Sequence, residues 1–252
     1  MTDILNGRRV LVTGAATGIG AAAVEAFASH GATVAATYHH TPAPQDLQAA
    51  ARWWQCDVRS RGEVQRTIDD VTDTLGGLDV LLHAAGLWQP GIPDQITEDD
   101  LDFLIATNFK ATVFTNQAAF TAMRHHGGRI INLGSAEAVM GNPIAATYAA
   151  TKAAVHAWTR TAAKAWAHCG ITVNAVAPAV ETPGAQRLRE FLGPDGATLL
   201  DQQLQSAVPL GGKLGDPLRD LTPMLVFLAG EGSRFITGQL LAVDGGIVML
   251  GA

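Results

Sequence analysis

Charge is scarce in this sequence. Of its 252 residues 16% are Asp, Glu, Lys or Arg, and the formal net charge at pH 7 is −6. Binding nucleic acid through its phosphates calls for a basic stripe, and an acidic balance offers none, so no nucleic-acid partner is expected. Cysteine is scarcer still. Cys56 and Cys169 stand alone without C-x-x-C spacing, and they read as reduced residues in or near the core. The eight histidines never recur as H-x-x-x-H; the doublets His39-His40 and His125-His126 read as loop or helix-end residues, and no metal site is expected. No apolar run approaches the roughly 18 residues of a membrane span. The opening MTDILNGRRV lacks the basic region and apolar core of a signal peptide, so the expectation is a cytoplasmic chain with no membrane contact.

What is present points to a covered parallel sheet. Hydrophobic residues make up 48% of the chain and glycines number 27, a composition suited to a buried core. Apolar β-branched runs alternate with Ala-rich helical stretches: RRVLVTG, GIGAAAVEAFASHG, TVAATY, WWQCDV, EVQRTIDDVTDTLG and LDVLLHAAG. Short apolar strands separated by helices of roughly ten or more residues mark a parallel sheet with both faces buried. GRIINLGS, ITVNAVAP and GQLLAVDGG continue the series to about seven strands. The expected architecture is α/β: a single domain over residues 1–252 built on a doubly wound parallel sheet with helices on both faces. The least regular stretch, from Glu181 to about Gly215, is rich in Gly and Pro and reads as an insertion over the sheet, suited to a substrate lid.

VLVTGAATGIGAA sets Gly14, Gly18 and Gly20, with Thr17 and Ile19 among them, between a strand and a helix-forming run. Such a turn lets backbone approach a pyrophosphate, and the following helix N-terminus offers free N–H groups and a positive dipole end. T-G-x-x-x-G-I-G, here Thr13 to Gly20, closely resembles the opening of the short-chain dehydrogenase/reductase family, above all its 3-oxoacyl-ACP-reductase-like members. The likeness runs through most of the chain. It implies a Rossmann-type fold, a nicotinamide cofactor and a small-molecule carbonyl or alcohol substrate. The family aspartate that closes the third strand and meets the adenine is matched by Asp57, followed by Val58. The family string N-N-A-G is here His83-Ala84-Ala85-Gly86. Both asparagines are gone; Ala85 and Gly86 still permit close passage of the cofactor, and His83 is read as a strand residue satisfied by its neighbours.

Tyr148 and Lys152 stand four apart in an Ala-rich helical run, so both side chains leave one face. A phenol with a pKa near 10 is a poor base at neutral pH, but an ammonium held close favours the phenolate. Ser135 ends the strand RIINLGS, where open α/β sheets bind ligands, and Asn108 lies in ATNFKATVF. All four match the family's Asn-Ser-Tyr-Lys set in order. The resemblance implies that Tyr148 exchanges a proton with the substrate oxygen while Ser135 orients it. It further implies that Lys152 binds the nicotinamide ribose and lowers the tyrosine pKa, and that Asn108 links the lysine to solvent through water.

VNAVAPAVETPG resembles the family's nicotinamide loop, with Pro178, Val180 and Thr182 as contacts, although Ala179 replaces the common glycine and Thr182 comes one residue early. FITGQLLAVDGG resembles the family's terminal strand and implies a homotetramer. NAD-using members end the second strand with an aspartate that would repel a 2′-phosphate. Here that position is Tyr38, and no carboxylate follows in TYHHTPAP. NADP(H) is favoured, with His39 or His40 able to meet the phosphate; the opposing feature is Thr17, where many NADP-users carry arginine, so NAD(H) stays open. Trp88, Glu137, Met140, Asn142 and Glu181 are the expected substrate pocket, the two glutamates suiting a hydroxyl-rich or cationic substrate. Two other readings stand beside an NADP(H)-dependent carbonyl reductase: an NAD-dependent alcohol, polyol or sugar dehydrogenase, and a non-catalytic cofactor-sensing protein.

Overall fold

A computed structural model describes residues 3–249. Seven strands form one sheet: β1 (Arg9–Thr13), β2 (Thr33–Tyr38), β3 (Arg52–Gln55), β4 (Val80–His83), β5 (Gly128–Leu133), β6 (Ile171–Pro178) and β7 (Leu240–Val243). Their order is β3-β2-β1-β4-β5-β6-β7 and every pairing is parallel. The chain reverses its direction of travel across the sheet between β1 and β4. In an open parallel sheet this is the place where the strand ends leave a crevice.

Alternation along the strands sorts side chains onto two cores. Val10, Val12, Val34, Val80, Leu82 and Ile131 face α1 (Gly18–Ser29) and α8 (Thr222–Ala229), meeting Val24, Phe27, Leu225 and Leu228. Leu11, Ala35, Leu81, Ile130 and Val173 face the other way. They meet Ile68 of α2 (Arg61–Leu75), Met123 of α4 (Ala111–Met123) and Ala162 of α6 (Ala146–Trp166). With both faces covered, most strands are dominated by apolar residues on both sides, which is why they were readable from sequence.

α3 (Glu98–Leu104) starts in a capping box, Thr97 and Asp100 each satisfying the other's backbone N–H. It continues into α4 through a π-helical turn, Ile105–Lys110, and Asn108 sits in that turn. A buried network joins α4, β5 and α6. Asn116 and Asn132 exchange two amide hydrogen bonds, of 2.9 and 3.0 Å, and Asn132 also donates to Thr159. Because every polar group there has a partner, the network holds the two helices in fixed register against β5.

The stretch expected to be irregular is mostly helical. α7 runs Pro183–Ala207 with a break at Gly193, whose φ is 71°, directly before Pro194. Thr182 starts it by accepting from the Ala185 N–H at 3.1 Å, and Pro183 fits the first turn, where its missing N–H costs nothing. The short α5 (Glu137–Met140) completes the helices named here. Among the described residues no helix is long and apolar enough to cross a membrane.

Candidate active site

A cleft of about 450 Å³ opens at the carboxyl ends of β1 and β4. Gly14, Thr17, Gly18, Ile19 and Gly20 form one wall, and Tyr38, His39 and His40 after β2 form the next. Asp57 and Val58, then Ala85 and Gly86, continue the lining; Tyr148, Lys152, Pro178 and Thr182 close it. Gly14 has φ +63°, and a Cβ there would stand 2.6 Å from the Ala85 Cα. The two turns touch backbone to backbone, which leaves the space above them for a ligand. Thr17 caps α1 without a side-chain hydrogen bond, so the first-turn N–H groups stay free toward that space. This cradle fits the diphosphate of a dinucleotide.

At the far end Ser135, Tyr148 and Lys152 come together from β5 and α6. The Ser135 side chain acts on the Tyr148 phenol in the direction that favours the phenolate, which places the two side by side. The Lys152 Nζ lies 5.7 Å from the Tyr148 ring centre and donates to the Leu133 carbonyl at 2.8 Å. A Cβ at Gly86 would fall 3.3 Å from Asn108 Oδ1 and 3.5 Å from Lys152 Nζ, so the bare backbone there lets both side chains reach this corner.

Three electrostatic outcomes differ from the sequence reading. The Tyr148 pKa is raised above its ordinary value: burial is the largest cause, the Glu137 charge adds to it, and the Ser135 side chain opposes it. The Lys152 ammonium is not among the groups that move the tyrosine, and burial separately lowers the Lys152 pKa to about 8. The Asn108 side chain is committed elsewhere. Its Nδ2 donates to the Leu87 carbonyl at 2.9 Å and to Thr151 at 3.2 Å, while the Leu87 N–H donates to its Oδ1 at 2.8 Å. Its carbonyl accepts from Thr112. His83 is only half satisfied: Nδ1 meets Thr13 at 2.9 Å and Thr115 at 3.1 Å, but Nε2 has no partner. Burial, aided by the Lys152 charge, pushes its pKa down to about 3, so it is neutral.

Some expected contacts lie elsewhere. Val180 is a core residue, 5% exposed, paired in a bridge with Gly215, and its side chain does not line the cleft. Glu181 points to solvent and binds Arg189 through two bonds of 2.8 and 2.9 Å. Met140 is 55% exposed and outside the cleft lining. Asn142 turns its Oδ1 onto the Ile144 N–H at 3.0 Å and leaves its amide near Glu137. Trp88 does line the cleft, and Glu137 sits behind it with its N–H on the Ser135 oxygen at 3.1 Å.

Two residues were missed. Arg59 lines the cleft beside His39 and clamps Asp57 through Nε and Nη2, at 2.9 and 2.7 Å, which holds the Asp57 carboxyl at a pKa of about 2. His156, eight residues after Tyr148 on α6, accepts from the Ser135 N–H at 3.3 Å. The four-residue spacing from Lys152 could have flagged it. Burial lowers its pKa to about 4, which keeps the ring able to accept.

The family model for enoyl-(acyl carrier protein) reductase matches residues 14–248. The chain is 34% identical to 3-oxoacyl-[acyl-carrier-protein] reductase FabG of Thermotoga maritima, over 97% of this chain and 99% of that one. It is also 34% identical to a sorbitol dehydrogenase of Cereibacter sphaeroides, over 96% and 98%. A crystal structure from Sinorhizobium meliloti, described as a short-chain alcohol dehydrogenase, superposes with a TM-score of 0.90 at 31% identity and 98% coverage of both chains. The chain belongs to the short-chain dehydrogenase/reductase family, whose members are oxidoreductases that use a nicotinamide cofactor.

Proposed function

We propose that this oxidoreductase interconverts a carbonyl and a secondary alcohol with NADP(H), using Ser135, Tyr148, Lys152 and Asn108. What carries the reading is the Tyr148 phenol beside Ser135, with Lys152 5.7 Å from its ring centre, at the inner end of a dinucleotide-shaped cleft. When bound, the nicotinamide supplies or accepts the hydride. Tyr148, held protonated by its burial, gives its proton to the carbonyl oxygen, and Ser135 orients that oxygen. Lys152 binds the ribose. Asn108 is a positioning residue: two of its three side-chain bonds hold Leu87, and hence the wall beside Gly86, and the third ties it to Thr151 on α6. The first part of α7 acts as a lid, resting Gly184 and Arg187 on Trp88.

The preference for NADP(H) is supported by the absence of an acid at Tyr38 and by His39, His40 and Arg59 along the same wall. Energy transfer from tryptophan to bound nicotinamide gives both affinities. NADPH is expected to bind tighter than NADH, and Arg59→Ala to weaken NADPH about tenfold more than NADH, the worth of one charge-assisted hydrogen bond. Tighter NADH would overturn the preference. It would also favour a second reading, an NAD-dependent polyol dehydrogenase, which the similarity to the sorbitol enzyme supports.

We also propose a homotetramer. Phe120 of α4 stacks at 4.8 Å on Trp166 of α6, which Trp158 meets edge-on, and all three rings are partly exposed. Phe235, just before the edge strand β7, is 99% exposed. Two such apolar faces suit two interfaces. Light scattering should give four times the chain mass; a monomer would overturn the proposal.

A further inference from the structure

The two glutamates expected to receive a hydroxyl-rich or cationic substrate are both turned away from the cleft: Glu181 is held by Arg189, and Glu137 lies outside the lining. The charge that does line the substrate end is positive. Arg187, on the second turn of α7, borders the cleft beside Trp88 and Gly184. Residues two apart on a helix point to nearly opposite sides, and these two arginines meet opposite surroundings. Arg189 is saturated by Glu181 at 2.8 Å and Asp201 at 3.1 Å. Arg187 is partly buried and pairs with no carboxylate among the described residues. Its Nε donates to the Trp88 carbonyl at 3.3 Å, which fixes the guanidinium and leaves the edge carrying both Nη atoms without a partner among the described residues. That edge is the fork that takes a carboxylate through two parallel hydrogen bonds. A Cβ on Gly184 would lie 3.9 Å from the Arg187 Nη2, 3.4 Å from the Thr182 hydroxyl and 3.3 Å from the Trp88 Cβ, so the fork sits among residues that line the cleft.

The anion could belong to the substrate or to the cofactor diphosphate, and the course of α7 favours the substrate. Pro183 packs over the glycine turn, where a Cβ on Gly18 would fall 3.0 Å from its ring. Arg187 stands one turn farther along, past the diphosphate cradle and against Trp88. The other charged groups of the lining are engaged: Asp57 with Arg59, and Lys152 with the Leu133 carbonyl. We propose that Arg187 forms a carboxylate subsite carried on the lid, selecting oxo acids and hydroxy acids over neutral ketones and alcohols. The proposal deepens the reading of Tyr148 as the proton-transfer group and rests on it. Because the arginine belongs to α7, the anion it binds also holds that helix against the Trp88 wall.

The test sets 3-oxobutanoate, 4-oxopentanoate and 5-oxohexanoate against their methyl esters, which keep the ketone and remove the charge. At neutral pH the wild type should prefer at least one acid over its ester in kcat/KM by about tenfold or more, as expected of a charge-assisted pair at a partly open site. Arg187→Met should bring that ratio within about threefold through a rise in KM for the acid. Any disturbance of the lid falls on acid and ester alike and leaves the ratio where it was. Arg187→Lys, which keeps the charge and loses the fork, should retain part of the preference. Equal use of acid and ester by the wild type would overturn the subsite and leave the Tyr148 reading intact. So would an acid preference that survives Arg187→Met while the cofactor Kd rises about tenfold or more, since the guanidinium would then serve the diphosphate; survival with an unchanged Kd overturns it too. Absence of turnover for every compound would count against Tyr148, and binding would still decide the subsite. The acids should then raise the thermal midpoint of the cofactor-loaded wild type more than the esters do, and lose that advantage in Arg187→Met; equal protection by acid and ester overturns it.

Discussion

Tyr148→Phe should keep the affinity for nicotinamide cofactor and lose about a thousandfold or more in turnover. The variant removes one oxygen from a ring that keeps its place on α6, so the cleft wall and Lys152 are undisturbed. What disappears is the proton. Because burial and the neighbouring Glu137 raise the Tyr148 pKa, the phenol is fully protonated at neutral pH and is ready to act as an acid toward a carbonyl. Ser135 can still hold the substrate oxygen, so cofactor binding should change by less than about twofold while single-turnover hydride transfer collapses. Cofactor titration and single-turnover absorbance separate the two quantities. Turnover within tenfold of the wild type would remove Tyr148 from the chemistry.

Gly14→Ala should damage both the fold and the cofactor site. Its φ of +63° is one an L side chain adopts at a cost of about 1–2 kcal/mol. The larger difficulty is contact: the new methyl would lie 2.6 Å from the Ala85 Cα and 2.8 Å from its N. Both are backbone atoms of the neighbouring turn, so no rotamer change can relieve the clash, and the turns after β1 and β4 must separate. Overpacking of this kind adds about 1–3 kcal/mol. For a chain of this size the thermal midpoint should fall by roughly 5–15 °C, read by calorimetry. Separation of the turns also widens the diphosphate cradle, and cofactor affinity should drop by about a hundredfold or more. A midpoint and affinity both unchanged would mean that the turns are not in contact in solution.

The sheet and the catalytic corner were legible for different reasons. The strands were visible because a sheet buried on both faces needs mostly apolar segments, and β1, β4, β5 and β6 are dominated by Val, Ile, Leu and Ala. Tyr148 and Lys152 were visible because a helix fixes residues four apart on one face, whatever surrounds it. The loop after β6 was harder. Val180 and Glu181 were both assigned to the cleft, yet the bridge from Val180 to Gly215 turns the first into the core and leaves the second to Arg189. That pairing spans 35 residues and has no local signature. α7 was misjudged because Gly193 and Pro194 read as loop, whereas a single left-handed glycine absorbs the break and the helix resumes. The sign of the Tyr148 shift was invisible for a deeper reason: distance to an ammonium is set by local spacing, but desolvation is set by everything packed around the ring.

The π-helical turn at Asn108 carries one residue more than regular winding would use, and so it works as a phase shift. The helix before it and the helix after it keep separate angular registers around one cylinder, and Asn108 stands at the seam. Deleting a residue between Ile105 and Lys110 would splice the two into a smoother helix and swing the amide away from Leu87. The count of residues in this segment is thus as much a part of the site as any side chain in it.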